Sequence, residues 1–387
     1  MKIGFLPPRY GAEIVGGAEF ACRMLAIHLV EAGHVVEIFT TAARESTTWA
    51  DDLPVGTTVE DGVTVHRFSA QGRAADFDEW GTPVLADPTR QPPDVVDEWL
   101  VKQGPYCPAA VDAAVASDCD SLAGYPYLYW PTVEIVRRAP DRAIVHLAAH
   151  DEPPLFLPVF GEVFAAARGL VFHTEAEERL VERVHPIAHL PRRVLGLGVT
   201  EHASAPDARE RVGVGDRPFV LCLGRVDPGK GTEALARFFA AYQQRRPGPL
   251  QLVFAGPVVA EPSAHPDLHV AGIVDEDVKW GLLDEAAVLV SPSGYESFSF
   301  VVLEAMARRT PIMVNRRCGP TMEHAMGSGA GLPYDDYGTF EVSLDRLLAD
   351  PDLRAALGEV GQRYVRRKFS WSAVVDRYVS FLQQVLR

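Results

Sequence analysis

Pro218-Phe219-Val220-Leu221-Cys222-Leu223-Gly224-Arg225-Val226-Asp227-Pro228-Gly229-Lys230-Gly231 joins an apolar run to a glycine-rich turn, and a helical pattern follows to about Gln244. Phe219 to Leu223 is continuously apolar rather than alternating, as expected of a strand in a parallel sheet covered by helices on both faces. Leu252 to Phe254 then returns as a second strand. The same succession opens the chain. Ile3 to Leu6 reads as a strand, Gly16-Gly17 as the loop, and about Ala18 to Ala32 as the helix. Ala21, Leu25 and Leu29 share one face of that helix, with Met24 beside them, which makes a core-facing stripe. Gly33 ends the helix, and Val35 to Phe39 is the next strand. Later, Val288-Leu289-Val290 and Ile312-Met313-Val314 flank a helix around Leu303.

Two doubly wound α/β domains follow from this repetition. At 387 residues the chain suits two such cores. Gly196, Gly198, Gly213 and Gly215 cluster with Pro206 between Leu195 and Asp216 and mark the boundary. The expected division is 1–198, 199–368 and a closing segment 369–387. From Gly72 to Gln103 the sequence is rich in Asp, Pro and Trp and weakly periodic, and it is read as an irregular excursion of the first domain.

Composition excludes several classes. Apolar residues at 47% and charged residues at 23% describe a globular chain rather than a disordered one. A net charge of −15 argues against a nucleic-acid partner, whose phosphates it would repel. A few positioned Arg and Lys side chains can still hold a small anion. The five cysteines are scattered and odd in number, so a zinc site or disulfide framework is not expected and a reducing cytoplasm is. Cys22 and Cys222 fall in apolar patterns and are read as buried. The opening strand reaches Pro7 too soon for a signal-peptide core, and no run approaches the ~18 apolar residues of a membrane span. A soluble cytoplasmic protein is expected.

The loop from Gly224 to Gly231 follows a buried strand and opens a helix, so backbone N–H groups and the positive helix end point toward a ligand. Arg225 offers a planar fork for phosphate oxygens and Lys230 a compact charge. Together they suit a diphosphate. A dinucleotide site is disfavoured because G-x-G-x-x-G is absent from both loops. A second constellation runs Ser293-Gly294-Tyr295-Glu296-Ser297-Phe298-Ser299-Phe300-Val301-Val302-Leu303-Glu304-Ala305-Met306. It places Glu296 in a loop, a helix start near Ser299, and Glu304 more than one turn along. Two carboxylates near a helix start are weak evidence alone, since the dipole favours them there.

The whole string resembles the retaining GT-B glycosyltransferases of family 4, group 1, marked by a Glu-x7-Glu motif. In that family the loop reads E-G-F-G-L-x-x-x-E-A-M or close to it. Here it is Glu296-Ser297-Phe298-Ser299-Phe300, then Glu304-Ala305-Met306. The resemblance extends to G-R-x-x-x-x-K-G at Gly224 to Gly231 and to G-G-A-E at Gly16 to Glu19. It also takes in His150-Asp151, His173-Thr174-Glu175-Ala176-Glu177, and Phe369-Ser370-Trp371 with an amphipathic helix. It thus covers nearly the full length. It implies two Rossmann-like domains facing across a cleft, the first on the acceptor side and the second holding the donor. A closing helix from Trp371 would cross back onto the first domain.

Residue by residue, the resemblance implies that Arg225 and Lys230 hold a donor diphosphate, which Gly17 allows the first domain's backbone to approach. Glu296 would contact donor sugar hydroxyls, Ser297 to Phe300 would meet sugar and phosphate, and Glu304 would accept from ribose hydroxyls. His150 would sit near the reacting sugar. Three departures stand out. Ser297 and Ser299 occupy positions where glycine is frequent, and Gly196-Leu197-Gly198-Val199 stands where Asn-Gly-Val is common. Cys318-Gly319-Pro320 replaces a paired glycine.

The expected activity is therefore retaining transfer of a hexose-type sugar from a nucleotide-diphosphate sugar. The acceptor would be a glycan, a lipid-linked or a small molecule, which these motifs do not specify. A diphosphate matched by Arg225, Lys230 and a helix dipole leaves without a carboxylic acid to protonate it. No cofactor or metal is expected. Asp118-Cys119-Asp120 has a spacing that can hold a cation, but it reads as a solvated turn, as do Asp335 and Asp336. Two rivals are a nucleotide-sugar epimerase, which would change the sugar without transfer, and a non-catalytic nucleotide-sugar binder. Trp80, Trp99, Tyr106, Tyr125, Tyr127, Tyr129 and Trp130 either stack on the acceptor or pack the core. Arg363, Arg366, Arg367 and Lys368 either meet anionic lipid at the inner membrane face or form a solvated helix face.

Overall fold

The apolar run at the start of the chain is strand β1 (Lys2–Leu6), with Ile3, Phe5 and Leu6 buried. The computed structural model describes every residue except Val15. The chain divides into two units: Met1–Gly198 together with Trp371–Arg387, and Val199–Ser370.

In unit 1, β1 is followed by helix α1 (Gly17–Glu31), then by β2 (Val35–Thr41), β3 (Gly56–Glu60) and β4 (Val63–Phe68). Next come helices α2 (Phe77–Ala86), α3 (Pro93–Gln103) and α4 (Pro108–Ala116). The unit continues through β5 (Ser121–Gly124), α5 (Trp130–Arg138), β6 (Ala143–His146), α6 (Pro158–Ala166), β7 (Gly169–Phe172), α7 (Glu175–Val184) and β8 (Arg192–Val194). The eight strands lie in the order β3-β4-β2-β1-β5-β6-β7-β8, all parallel except β3, which is antiparallel to β4. The chain winds outward from β1 to β2 and later returns to β5 on its other side. The strand order therefore reverses between β1 and β5, where an open α/β sheet forms its ligand crevice at the carboxyl ends.

Unit 2 repeats the plan. It contains α8 (Ala208–Arg211), β9 (Phe219–Leu223), α9 (Thr232–Arg245), β10 (Gln251–Ala255), β11 (Leu268–Val270) and α10 (Glu276–Glu285). Then come β12 (Val288–Ser291), α11 (Phe300–Ala307), β13 (Ile312–Asn315), α12 (Gly319–Ser328), β14 (Gly331–Tyr334), α13 (Tyr337–Ala349) and α14 (Pro351–Lys368). Its six strands run parallel in the order β11-β10-β9-β12-β13-β14, so this sheet reverses between β9 and β12. The segments entering and leaving unit 2 are bonded to each other, Val199 N–H donating to the Phe369 carbonyl at 2.9 Å. The chain then returns to unit 1 as α15 (Trp371–Val385), which buries Trp371, Val374, Tyr378, Phe381 and Leu382. Tyr378 stacks on Phe5 and its hydroxyl lies 3.0 Å from His146 Nε2.

The stretch from Gly72 to Gln103 is not the irregular excursion its sequence suggests. It is largely helical, and Phe77, Val84, Val96, Trp99 and Leu100 join the unit 1 core. Both helices are short, at 10 and 11 residues, and α2 carries Pro83 inside it. Each therefore shows too few apolar turns for a period to stand out. Among the aromatics weighed as acceptor contacts, Trp99, Tyr125, Tyr127 and Trp130 are buried core. All five cysteines are free and buried. Among the described residues, no helix is long and apolar enough to cross a membrane.

Candidate active site

Gly231 decides how the unit 2 loops meet. Its φ is +78°, and a Cβ there would lie 2.6 Å from the Pro292 carbonyl oxygen. Only glycine allows the loop after β9 to press this closely on the loop after β12. The first loop is tied by Asp227, whose Oδ1 accepts from Gly229 N–H at 2.6 Å. Thr232 closes it, its hydroxyl bonding both the N–H and the carbonyl of Asp227 at 3.0 Å. Arg225 Nε stands 3.0 Å from Asp227 Oδ2. Lys230 Nζ reaches across to Glu296 Oε1 at 2.9 Å.

The second loop is held from behind. Asn315 Nδ2 donates to the Pro292 carbonyl at 3.0 Å, and His324 Nε2 lies 3.0 Å from the Phe298 carbonyl. A carbonyl only accepts, so His324 carries its proton on Nε2. Burial lowers the His324 pKa to about 4, which keeps the ring neutral. Ser299, which heads α11, sits in the left-handed region at φ +69°. This accounts for the frequency of glycine at that position in the resembling family, because a side chain there is strained. The Ser299 hydroxyl is buried with no hydrogen-bond partner among the described residues.

These loops border a cavity of about 220 Å³ lined by Gly224, Arg225, Lys230, Thr232, Ser293, Glu296, Ser299 and Phe300, among others. The structure thus gathers Arg225, Lys230, Glu296, Ser299 and Phe300 around one space, with the N-terminus of α11 at its wall. Ser297 and Phe298 are not among its lining residues. The Phe298 ring is instead anchored against Phe300, His324 and Phe369.

Glu304 lies further along α11 and is buried, with Oε1 2.9 Å from Lys279 Nζ. Its Oε2 is buried with no partner among the described residues. Burial raises the Glu304 pKa, and the Lys279 charge works against that. Burial also works to lower the Lys279 pKa, but Glu304 and Glu276 outweigh it and the net shift is upward. Sequence reasoning missed Lys279, because it reads as part of the charged face Asp275-Glu276-Asp277. Asp227, Asn315 and His324 were missed too, since their roles are bonds to backbone groups or side chains that no motif displays. The Gly-Lys-Gly-Thr run was the available signal for Thr232.

Gly17 and His150 belong to unit 1. Gly17 heads α1, and a Cβ there would meet nothing within 4 Å. His150 follows β6 on a loop where Ala148 has φ +53°. Its Nδ1 is 3.7 Å from Glu152 Oε1, so its acidic neighbour is Glu152. The loop is fastened by buried Glu177 on α7, whose two oxygens accept from Ala149 N–H and His173 N–H, each at 2.6 Å. Burial pushes the Glu177 pKa up to about 7 even against those bonds. It lowers that of His173, whose Nε2 is 2.7 Å from the Tyr125 hydroxyl, to about 4. Near the start of α1, buried Arg9 donates from Nε to Glu19 at 3.0 Å and from Nη1 to the Arg44 carbonyl at 2.7 Å.

The acidic pair weighed as a metal site lies at the amino end of β5, away from these loops. Asp118 pairs with Lys2, and Asp120 accepts from Lys2 N–H at 2.8 Å. Asp335 pairs with Arg316, and Asp336 caps α13 through Thr339 N–H.

Residues 205–364 match the family model described as glycosyl transferases group 1. The alpha-D-kanosaminyltransferase of Streptomyces kanamyceticus is 30% identical over 74% of this chain and 81% of its own length. The D-inositol 3-phosphate glycosyltransferase of Acidothermus cellulolyticus is 28% identical over 97% of this chain and 87% of its own. Among solved structures, the sucrose-phosphate synthase of Thermosynechococcus elongatus superposes with a TM-score of 0.73 at 21% identity, over 99% of this chain and 98% of that one. HepE of Anabaena, solved in complex with UDP, gives 0.72 at 16% identity over 99% and 100% of the two chains. The chain belongs to the group 1 glycosyl transferases and has the GT-B fold. It is a glycosyltransferase.

Proposed function

We propose that this enzyme moves a hexose-type sugar from a nucleoside-diphosphate sugar held in the unit 2 cavity to a hydroxyl of its acceptor, with retention of anomeric configuration. The observation that carries this is one small cavity bordered by two cations, a carboxylate and a helix N-terminus. A turn away stands a buried carboxylate oxygen, Glu304 Oε2, which has no donor among the described residues. Such an atom is costly unless a ligand satisfies it, and a ribose hydroxyl is the right partner. Arg225 spends Nε on Asp227 and keeps its two terminal amino groups for phosphate oxygens. Lys230 and the N-terminus of α11 complete the match to a diphosphate.

That electrostatic match stabilises the leaving diphosphate as it departs, so no general acid is needed. Charge supplied by side chains and a helix dipole also supports a reaction without metal or other cofactor. Glu296 orients the sugar through its hydroxyls and supports its developing positive charge, while the departing phosphate oxygen takes the acceptor's proton on the same face. Ser299 and Phe300, which line the cavity, lie beside the sugar and phosphate. The acceptor is a glycan, a lipid-linked or a small molecule on the cytoplasmic side, and the name of one relative, a D-inositol 3-phosphate glycosyltransferase, supports a small polyhydroxylated one. The Arg363, Arg366, Arg367 and Lys368 cluster forms the last turns of α14, where cations favour the helix dipole and equally suit an anionic membrane face.

The test is a thermal-shift panel of UDP, GDP, ADP, dTDP and their sugars, with EDTA present. A ligand at 100 times its Kd stabilises the native protein by about 2.7 kcal/mol. One nucleotide sugar should raise the melting temperature of wild type but not of an Arg225→Ala, Lys230→Ala double variant. If the double variant responds equally, the cavity is not the donor site.

A further inference from the structure

Both cations of the cavity are already neutralised from within. Arg225 leans on Asp227 at 3.0 Å and Lys230 on Glu296 at 2.9 Å. The two pairs are not equivalent. The Asp227 carboxylate is also committed to Gly229 N–H, so it is part of the loop's own architecture. Lys230 and Glu296, by contrast, are each other's only ion-pair partner among the described residues, and their side chains remain 34% and 20% exposed. That pair bridges the loop after β9 and the loop after β12, across the space a ligand would fill.

We infer that Glu296 is an exchangeable counter-ion for Lys230, and that this exchange makes the site hold an intact nucleoside-diphosphate sugar in preference to the nucleoside diphosphate left after transfer. The inference rests on the donor-site reading above. An intact donor offers something to both partners: its phosphate oxygens take Lys230, and its sugar hydroxyls donate to the released Glu296 carboxylate. A nucleoside diphosphate offers only the first half. When Lys230 turns to its phosphate, Glu296 is left charged, part-buried and without a donor, facing a second anion. The same carboxylate that orients the sugar therefore penalises the product, and its return to Lys230 after transfer helps expel the spent nucleotide. Glu296 thus determines specificity in the binding step as well as orienting the reacting sugar.

The experiment is calorimetric titration, without acceptor, of the nucleoside diphosphate giving the largest thermal shift (UDP first) and of its sugar. The proteins are wild type, Glu296→Gln, Lys230→Met and the double variant, each first checked for a cooperative melt. Glu296→Gln keeps the side chain's size and removes the charge that competes for Lys230. It is expected to bind UDP about tenfold more tightly than wild type, as for loss of one competing charge-assisted bond. It should bind the UDP-sugar no more tightly than wild type does. In the Lys230→Met background the same substitution should change UDP affinity less than twofold, because the partner it releases is gone. UDP binding that is unchanged or weaker in Glu296→Gln overturns the exchange. So does a tenfold gain that persists in full without Lys230, which would mark plain charge repulsion. If none of the nucleotides binds wild type or Glu296→Gln, the donor-site reading itself falls and the exchange falls with it.

Discussion

Glu304 is buried beside a lysine, whereas Glu177 is buried among backbone N–H donors, and the two should respond differently to mutation and to pH. Lys279→Met would strand the Glu304 carboxylate in a buried site with no cation. Losing one partner of such a pair costs about 3 kcal/mol or more, so the urea midpoint should fall sharply. Lys279→Met combined with Glu304→Gln should recover most of the loss. A single-variant cost below about 1 kcal/mol would instead mark the pair as solvated. Glu177 has its folded pKa raised to about 7, above the roughly 4.3 of an unfolded chain. Its protonation therefore stabilises the fold fully below about pH 4.3, and that contribution is lost as pH rises through 7, by about 2.5 kcal/mol between pH 5 and 8. His173 and His324, lowered to about 4, run the other way. The unfolded chain protonates them first, so stability is gained as pH rises from 4 to about 6.5. Glu177→Gln should remove only the falling contribution. Its unfolding free energy relative to wild type should then rise by about 2.5 kcal/mol from pH 5 to pH 8, and a pH-independent difference would refute the assignment. Arg225, Lys230 and Glu296 were legible beforehand because each stands in a glycine-marked loop between a strand and a helix. Lys279 was not, because what gives it meaning is Glu304, 25 positions away on another helix.

Elements were legible where burial is uniform. β1 and β9 lie inside parallel sheets, so every position of β9, and of β1 after Lys2, is apolar or small and the run announces itself. The missed helices α2 and α3 show the converse, since a short helix broken by proline shows little of its period. The left-handed Ser299 is likewise invisible in a string, although serine standing where glycine is usual hinted at it. α15 is the element whose role is best tested singly. Its Tyr378 hydroxyl meets the fully buried His146, whose Nδ1 has no partner among the described residues. Tyr378→Phe would leave both ring nitrogens of His146 unsatisfied while keeping the ring that stacks on Phe5. The expected cost is about 1–3 kcal/mol, read as a lower melting temperature with unchanged secondary structure. No change would mean that water already serves His146.

At the scale of the whole chain, each unit owns a sheet with helices packed on it, but they are assembled differently. Unit 2 is one continuous segment whose two ends are bonded to each other, whereas unit 1 is made of two segments. A fragment spanning 199–370 is therefore expected to fold alone and to retain nucleoside-diphosphate binding, as judged by cooperative melting and titration. A fragment of 1–198 lacks α15 and should be insoluble or molten. A stable, well-melting 1–198 fragment would show that α15 only decorates that unit. The repetition of strand, glycine loop and helix made both sheets readable, but which unit would claim Trp371 to Val385 was suggested only by family likeness. The division has a consequence in time. A ribosome delivers Met1 to Gly198 first, yet that stretch must wait, the surface that α15 covers still open, while all of Val199 to Ser370 is made. Unit 2, begun second, can finish first. The residues that α15 covers, Phe5 and His146 among them, stay uncovered throughout that interval, which gives a chaperone both the opportunity and the apolar surface to bind.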